Sequence, residues 1–299
     1  MTAAGTGVYY VPEYLARELG YFADEGLTIE TEAPGGTWLA GQLSSGGAEI
    51  ALGGVWRPLM YRGRLGAYLS FAQLTIRNPQ VLVGRTPAER FQWTDLYGKS
   101  VIIPTGAPSP WMFMTALLGE AGVDNRRIKF IRDLQQQETT PLFRAGLGDY
   151  YLVMPPLSEE LEAEGYHIVA DMAATGGDVP WSVYYATPEV LNRPDQPAVQ
   201  FARAIQRALE FVLTQDPQSM IEALRRHYPT TDPALLTRAI AGERRRGVWP
   251  KSIRISEPAL QRWQRMMVDY GMIERVFPYG DVVDTRVADA VESGRPTGR

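Results

Sequence analysis

The sequence has no cysteine among its 299 residues and only two histidines, His167 and His227. Without thiols the chain has no disulfide, no thiolate metal site, no iron–sulfur cluster and no cysteine nucleophile. A His-based metal site or a Ser-His-Asp triad would have to use one of two histidines that lie far apart and outside any carboxylate motif. Hydrolytic and zinc chemistry are therefore not expected, and no cofactor or metal is expected.

The sequence also lacks a long apolar run and an excess of positive charge. No stretch approaches the roughly 20 apolar residues of a membrane-spanning helix. The formal net charge is −4, so we expect no nucleic-acid partner. The N-terminus shows no basic run followed by an apolar segment, the pattern of a secretory signal. The expected location is periplasmic, or membrane-anchored outside the cell, if a signal was removed, and cytoplasmic if Met1 is the true start.

What the sequence does contain is an alternation of short strand-like and helix-like segments in its first half. Residues 49–54 form a buried apolar run that ends in two glycines, and residues 100–104 form another. Leu27, Ile29 and Thr31 alternate as in a short strand, while Thr37 is placed to cap a helix that runs to Leu43. This alternation predicts an α/β fold with a mostly parallel sheet.

The last third of the chain is helical in pattern. Phe201, Ile205, Leu209 and Val212 recur at the spacing of one helix face. Prolines punctuate the four helices expected within residues 196–270.

Five segments resemble one known family, in the same order along the chain. They are Tyr14–Leu27, Leu43–Ala51, Asp95–Val101, Phe143–Asp149 and Tyr279–Asp284. Together they are similar to the substrate-binding proteins related to thiamine-precursor, taurine and alkanesulfonate carriers, the NMT1/THI5-like family.

The resemblance implies a two-lobed periplasmic-binding-protein type II fold with mixed, mostly parallel sheets. Lobe 1 would contain residues 1–76 and 178–299, lobe 2 residues 77–177, with a hinge between them. The first strand, before Thr6, is expected to be short or missing. Such a protein would capture a small polar or aromatic anionic molecule between its lobes, deliver it to an ABC permease, and act as a monomer.

Candidate binding residues follow from where open α/β sheets bind ligands, beyond the carboxyl ends of their strands and at helix N-termini. Three loops meet these conditions, at residues 35–38, 53–57 and 105–109. Aromatic side chains there offer walls for a ring, and an arginine fork matches a carboxylate or sulfonate. The candidates are Thr6, Tyr9, Tyr10, Gly36, Thr37, Trp38, Trp56, Arg57, Arg77, Thr105, Ser109, Gln136 and Trp181.

Each candidate also has a purely structural interpretation. Gly36 and Thr37 read equally as a turn and a helix cap, and Thr105 and Ser109 as caps of the next helix. The tryptophans and tyrosines can belong to the core, and a polar helix start accounts for Gln136. Exposed arginines are more often solvated than bound to a ligand.

An enzyme on the same fold is the alternative function. Pyrimidine-precursor synthases and some aromatic acid decarboxylases resemble these carriers. The synthases carry a cysteine-rich iron motif that a chain without cysteine cannot have, whereas a decarboxylase stays open. Binding without catalysis is the expected function.

Overall fold

The computed structural model describes residues 1–3, 7–30 and 39–294. The predicted site residues Thr6, Gly36, Thr37 and Trp38 lie outside these ranges, as does Thr31. Within them, nine strands are present: β1 (Thr2–Ala3), β2 (Ile50–Gly54), β3 (Leu69–Thr75), β4 (Val81–Gly84), β5 (Ser100–Ile102), β6 (Lys129–Ile131), β7 (Tyr150–Val153), β8 (His167–Asp171) and β9 (Ser182–Ala186).

Fifteen α-helices occupy the same described ranges. They are α1 (Val11–Glu18), α2 (Tyr21–Asp24), α3 (Leu39–Ser44), α4 (Trp56–Tyr61), α5 (Pro108–Glu120), α6 (Gln136–Arg144), α7 (Leu157–Ala163), α8 (Met172–Gly176), α9 (Pro188–Leu191), α10 (Pro197–Thr214), α11 (Ile221–Leu224), α12 (Pro233–Arg245), α13 (Glu257–Asp269), α14 (Tyr279–Val282) and α15 (Thr285–Glu292). Short 3₁₀ helices lie at Val8–Tyr10, Trp93–Leu96, Asn125–Arg127 and Pro217–Met220.

The chain divides into two compact units. Unit 1 contains Met1–Arg77 and Asp178–Arg299, and unit 2 contains Asn78–Gly177. Arg77, which the sequence analysis assigned to the second lobe, groups with unit 1.

The sheet of unit 1 has four strands in the order β1-β2-β9-β3. β1 is parallel to β2 and only two residues long, with Ala3 opposite Leu52. β9 is antiparallel to both of its neighbours. β9 therefore lies between β2 and β3, two strands that come far earlier in the sequence.

The sheet of unit 2 has five strands in the order β6-β5-β7-β4-β8. β5 runs parallel to β6 and β7, whereas β4 is antiparallel to β7 and β8. Both sheets are thus mixed, and the fold is the expected α/β type. Among the described pairings, four are antiparallel and three parallel, because β4 and β9 each pair antiparallel on both sides.

The core of unit 1 forms between its sheet and the long helix α10. The predicted stripe of Phe201, Ile205, Leu209 and Val212 is fully buried there. Phe22 packs on Phe201 with ring centroids 4.9 Å apart. Burying large aromatic side chains in this way supplies most of the driving force for joining the N-terminal helices to α10.

One sequence-based expectation about strands was wrong, and one strand was missed. Residues 27–30 contain no strand, although Leu27 and Ile29 alternate with polar residues. β9 was not predicted, because its buried residues Ser182–Ala186 face apolar neighbours on both sides and show no alternation. None of the described helices combines the length and the apolar character that crossing a bilayer requires.

A strained residue precedes α10 and generates a first prediction. Gln196 is exposed and has φ +50°, in the left-handed region. That conformation costs an L-residue about 1–2 kcal/mol, part of which glycine avoids. Gln196→Gly should raise the free energy of unfolding by about 0.5–1 kcal/mol in urea denaturation.

Gln200→Gly, inside the same helix, is the matched control. It should lower the free energy of unfolding by about 1 kcal/mol, since glycine is unfavourable in a right-handed helix interior. Equal losses of the free energy of unfolding in the two variants would contradict the conclusion that Gln196 is strained.

Candidate functional site

Three strand ends of unit 1 meet in one row across its sheet. β2 ends at Gly54, β9 begins at Ser182 and β3 ends at Thr75, and Ser182 is the register partner of both of the other residues. The row therefore lies at the carboxyl edge of β2 and β3. This is the kind of edge at which open α/β sheets bind ligands.

Gly54 makes room for the two side chains that follow it into α4. A Cβ placed on Gly54 would lie 2.6 Å from Cδ1 and Nε1 of the Trp56 indole and 3.7 Å from Nη1 of Arg57. A contact of 2.6 Å to a ring requires the ring to move. The glycine thus allows Trp56 to lie across the end of β2, with the Arg57 guanidinium beside it.

Arg57 is a buried cation at this edge, with 6% of its surface exposed. Its guanidinium carbon lies 4.3 Å from the centroid of the Trp56 ring. The Tyr61 hydroxyl, one turn further along α4, is hydrogen-bonded to it. Burying a charge is costly unless other groups compensate, and a ring face and a hydroxyl both do so. Arg57 is therefore oriented by its own helix.

Tyr9 and Tyr10 reach the same row from the 3₁₀ helix before α1. Their ring centroids are 4.3 Å apart, and a Cβ on Gly7 would lie 2.3 Å from the Tyr9 ring. Hydrogen bonds link the Tyr10 hydroxyl to those of Tyr9 and Ser182. Tyr10 is buried, whereas Tyr9 keeps part of its surface exposed. The Tyr9 carbonyl also accepts a hydrogen bond of 3.0 Å from the Trp249 indole nitrogen.

Burial controls the protonation of these tyrosines. It raises the pKa of Tyr9, as do the neighbouring Tyr10 and Tyr14, while the positive charge of Arg57 opposes the rise. Burial also raises the pKa of Tyr10, against the Ser182 hydrogen bond and Arg57. Both hydroxyls therefore stay protonated at neutral pH and can donate hydrogen bonds.

The structure brings Trp181 to the same row but gives its ring a packing role. The Trp181 backbone nitrogen donates to the Thr75 carbonyl at 3.0 Å. Its indole is 6% exposed and packs edge-on against Trp263, with centroids 5.5 Å apart.

Arg77 has partners of its own in unit 1. Its Nε donates to Asp178 at 2.8 Å and its Nη1 to the Arg246 carbonyl at 3.0 Å. These bonds tie Arg77 to the segment that returns to unit 1 and to the end of α12.

In unit 2, Thr105 and Gln136 lie at the carboxyl edge of the parallel neighbours β5 and β6. Thr105 is exposed, and its backbone nitrogen donates to the Leu134 carbonyl at 3.0 Å. Ser109 is buried in the first turn of α5. The Gln136 side chain is exposed at the start of α6, whose cap is provided by Gln135 and Glu138. Gln136 thus begins a helix without capping it.

Sequence reasoning missed three residues of the unit 1 row as site candidates, namely Gly54, Thr75 and Ser182. Each is defined by its register partner across the sheet, and that register is not visible in a single strand. The glycine pair at residues 53–54 was the available signal, since glycines at a strand end often mark a close approach of other groups.

The row differs from the surface pockets described in unit 1. One, of about 390 Å³, is lined mainly by residues 28–30 and 46–50. Another, of about 290 Å³, lies at the start of α10. Among the residues that the structure describes, no candidate site residue lines either pocket. Across the described ranges, no three His, Asp or Glu side chains come together in a way that could hold a metal ion.

Comparison with known proteins finds a family model and a curated relative. The family model described as NMT1/THI5 like matches residues 8–219. A Bacillus subtilis (strain 168) protein named "Putative binding protein YtlA" is 26% identical over 291 residues, which are 96% of this chain and 87% of that protein.

Solved structures share the fold at low identity. The periplasmic aliphatic sulphonate binding protein SsuA from Escherichia coli is 15% identical, with a TM-score of 0.73 over 95% of this chain and 90% of that one. The desulfurization enzyme DSZB, as a cysteine-to-serine mutant with biphenyl-2-sulfinic acid, is 11% identical, with a TM-score of 0.70 over 99% of both chains. At these identities the likeness shows the fold alone.

Gly54→Ala tests whether the glycine positions Trp56 and Arg57. The added methyl group should displace the Trp56 indole and with it the guanidinium that stacks on it, because the built contact is 2.6 Å. We expect tryptophan fluorescence to change and the free energy of unfolding to fall by about 1–3 kcal/mol. Gly119→Ala, at a helical position with open space around it, is the control and should be neutral or stabilising.

The buried tyrosines predict a loss of stability at alkaline pH. Burial raises the pKa of Tyr9, Tyr10, Tyr184, Tyr185 and Tyr228 in the folded chain. The contribution of these protonated tyrosines to the free energy of unfolding is therefore fully present below the unfolded-state pKa of about 10. It is lost as the pH rises from there towards the folded-state pKa values.

Urea denaturation between about pH 8 and pH 11 should show a free energy of unfolding that is level at first and falls above about pH 10. Tyrosinate absorbance should appear together with unfolding. Ionisation of these tyrosines in the folded protein near pH 10 would contradict the prediction.

Proposed function

Because the chain belongs to the NMT1/THI5-like family, we propose that it is a solute-binding protein that captures a small polar or aromatic anion for import through an ABC-type permease. The proposal follows the named binding functions of its relatives and the chemistry of the unit 1 edge. We further propose that the protein is a monomer and that it works outside the cell membrane.

The observation that carries the proposal is the buried Arg57 beside Gly54, at the carboxyl edge of the unit 1 sheet. A guanidinium offers two parallel donors that match a carboxylate or a sulfonate. In a site with little water its attraction for an anion is stronger than at an open surface. The stacked Trp56 ring orients the fork and so lowers the entropy lost when a ligand binds.

Aromatic side chains around Arg57 suit a ligand with an apolar or aromatic part. Tyr9 presents part of its ring, and Tyr10 and Trp56 lie next to it at the same edge. Small-molecule sites commonly combine such apolar walls with a few polar groups that converge on the ligand. In unit 2, we propose Thr105, Ser109 and Gln136 as further hydrogen-bonding residues.

An enzyme on this fold is the second candidate, and the likeness to DSZB is the observation that favours it. That structure carries a cysteine-to-serine substitution, whereas this chain has no cysteine. His227 stacks on Tyr14 and lies 3.0 Å from Glu18, and His167 lies in β8 of unit 2. None of the described residues placed at the edge beside Arg57 is a histidine, which favours binding over acid–base chemistry.

Thermal unfolding in the presence of sulfonates, aromatic carboxylates, pyrimidines and amines tests the proposal. A ligand at about a hundred times its Kd adds about 2.7 kcal/mol to the free energy of unfolding. Anions should stabilise the protein and be recovered unchanged. Consumption of a stabilising ligand would make the protein an enzyme, and stabilisation by amines alone would overturn the anion class.

Arg57→Gln should weaken binding of the stabilising anion by about 10–100-fold, because a charge-assisted pair of hydrogen bonds is lost. Arg64→Gln is the matched control, since Arg64 is an exposed arginine in the loop just after α4. Isothermal titration calorimetry of both variants, with their far-UV circular dichroism as a check on folding, measures the difference. Equal affinities of the two variants for the anion would show that Arg57 does not bind it.

A further inference from the structure

Thr75, the last residue of β3, has a fully buried hydroxyl that forms no hydrogen bond with the described residues. The Thr75 carbonyl accepts a hydrogen bond from the Trp181 backbone nitrogen, and its strand pairs with β9. A buried hydroxyl without a partner is unfavourable, because folding has removed it from water without replacing the lost hydrogen bonds. Each such group in a native fold calls for an explanation, and a bound ligand would supply one.

The position of this hydroxyl connects it with the candidate site. Thr75 and Ser182 are register partners across β3 and β9, next to a register shift between Gln73 and Thr75. Ser182 is also the partner of Gly54, beside which the Arg57 guanidinium lies. The Ser182 hydroxyl is in turn hydrogen-bonded to Tyr10. The row thus runs from a cation, through a paired hydroxyl, to a hydroxyl that has no partner among the described residues.

We infer that the Thr75 hydroxyl donates a hydrogen bond to the oxyanion of the ligand, so that Thr75 is a specificity-determining residue alongside Arg57. The inference rests on the proposed function, since it names how the anion bound there is recognised. A carboxylate and a sulfonate both have more oxygen lone pairs than one guanidinium can fill, and a hydroxyl at the far end of the row supplies a further donor. A neutral ligand of the same shape gains less from this pair of groups.

The Thr75 hydroxyl therefore affects stability and binding in opposite directions. It lowers the stability of the ligand-free protein, and in the complex it forms a hydrogen bond with the ligand. Thr75→Val keeps the branched shape and removes the hydroxyl, whereas Thr75→Ser keeps the hydroxyl and removes a methyl group. The two variants therefore separate hydrogen bonding from packing.

Tyr184→Phe is the matched control. Tyr184 lies on β9, two residues from Ser182, is fully buried, and has a hydroxyl without a partner among the described residues. It faces the core, between Phe71 and Phe201, instead of the edge. Removing its hydroxyl repeats the chemical change of Thr75→Val at a place where no ligand is proposed.

The test combines thermal unfolding of the ligand-free full chain with calorimetric titration of benzoate, benzenesulfonate and the neutral benzamide. Thr75→Val should raise the Tm by about 2 °C and weaken binding of the anion that the unaltered protein prefers about tenfold or more. Thr75→Ser should keep that affinity within about threefold. Tyr184→Phe should raise the Tm and leave affinity unchanged. Benzamide should bind more weakly than either anion.

Three results would overturn the inference alone while the unaltered protein still binds an anion. They are unchanged affinity in Thr75→Val, a lower Tm of ligand-free Thr75→Val, and an equal loss of affinity in Tyr184→Phe. Failure of the unaltered protein to bind either anion would instead overturn the anion-binding proposal itself, and the inference with it. Benzoate and benzenesulfonate distinguish a carboxylate ligand from a sulfonate.

Discussion

The antiparallel insertion of β9 between β2 and β3 is the constraint on which unit 1 depends. β9 forms ladder hydrogen bonds on both sides, so neither neighbour can shift register without breaking a row of buried bonds. It also joins the C-terminal part of the chain to the N-terminal part. The same strand carries Tyr184 into the core and places Ser182 between Gly54 and Thr75. Fold and candidate site therefore share one element.

The segments that carry the family resemblance act mainly in packing. Within Tyr14–Leu27, Gly20 and Gly26 adopt positive φ, and the motif docks on α10 through Phe22 and Phe201. In unit 2, the Asp149 carboxylate accepts hydrogen bonds from the backbone nitrogen and hydroxyl of Ser100, at 2.8 and 2.7 Å. Burial opposes this ionised form, but the bonds from Ser100 and the charges of Lys99 and Arg85 hold the pKa of Asp149 below its ordinary value.

Sequence reasoning named several candidate residues where local chemistry is readable. A glycine pair at a strand end followed by Trp56 and Arg57 indicates a close approach of side chains, and the structure places both at the edge of the sheet. Sequence reasoning could not distinguish the surroundings of Arg57 from those of Arg77, since both are arginines near strand ends. Only the tertiary contacts show that Arg77 is engaged by Asp178 and the end of α12, while Arg57 is oriented by Trp56.

Sequence reasoning alone established the α/β class, the helical last third, the absence of thiol chemistry and the family. The first two depend on local periodicity and the third on composition, whereas the family was recognised by the resemblance of five segments. Tertiary contacts change none of these. The tertiary structure alone decided that β9 exists, how it pairs, and that Thr75, Ser182 and Gly54 form one row. Register is set by hydrogen bonds between residues far apart in the chain, and a strand buried on both faces has no alternation to reveal it.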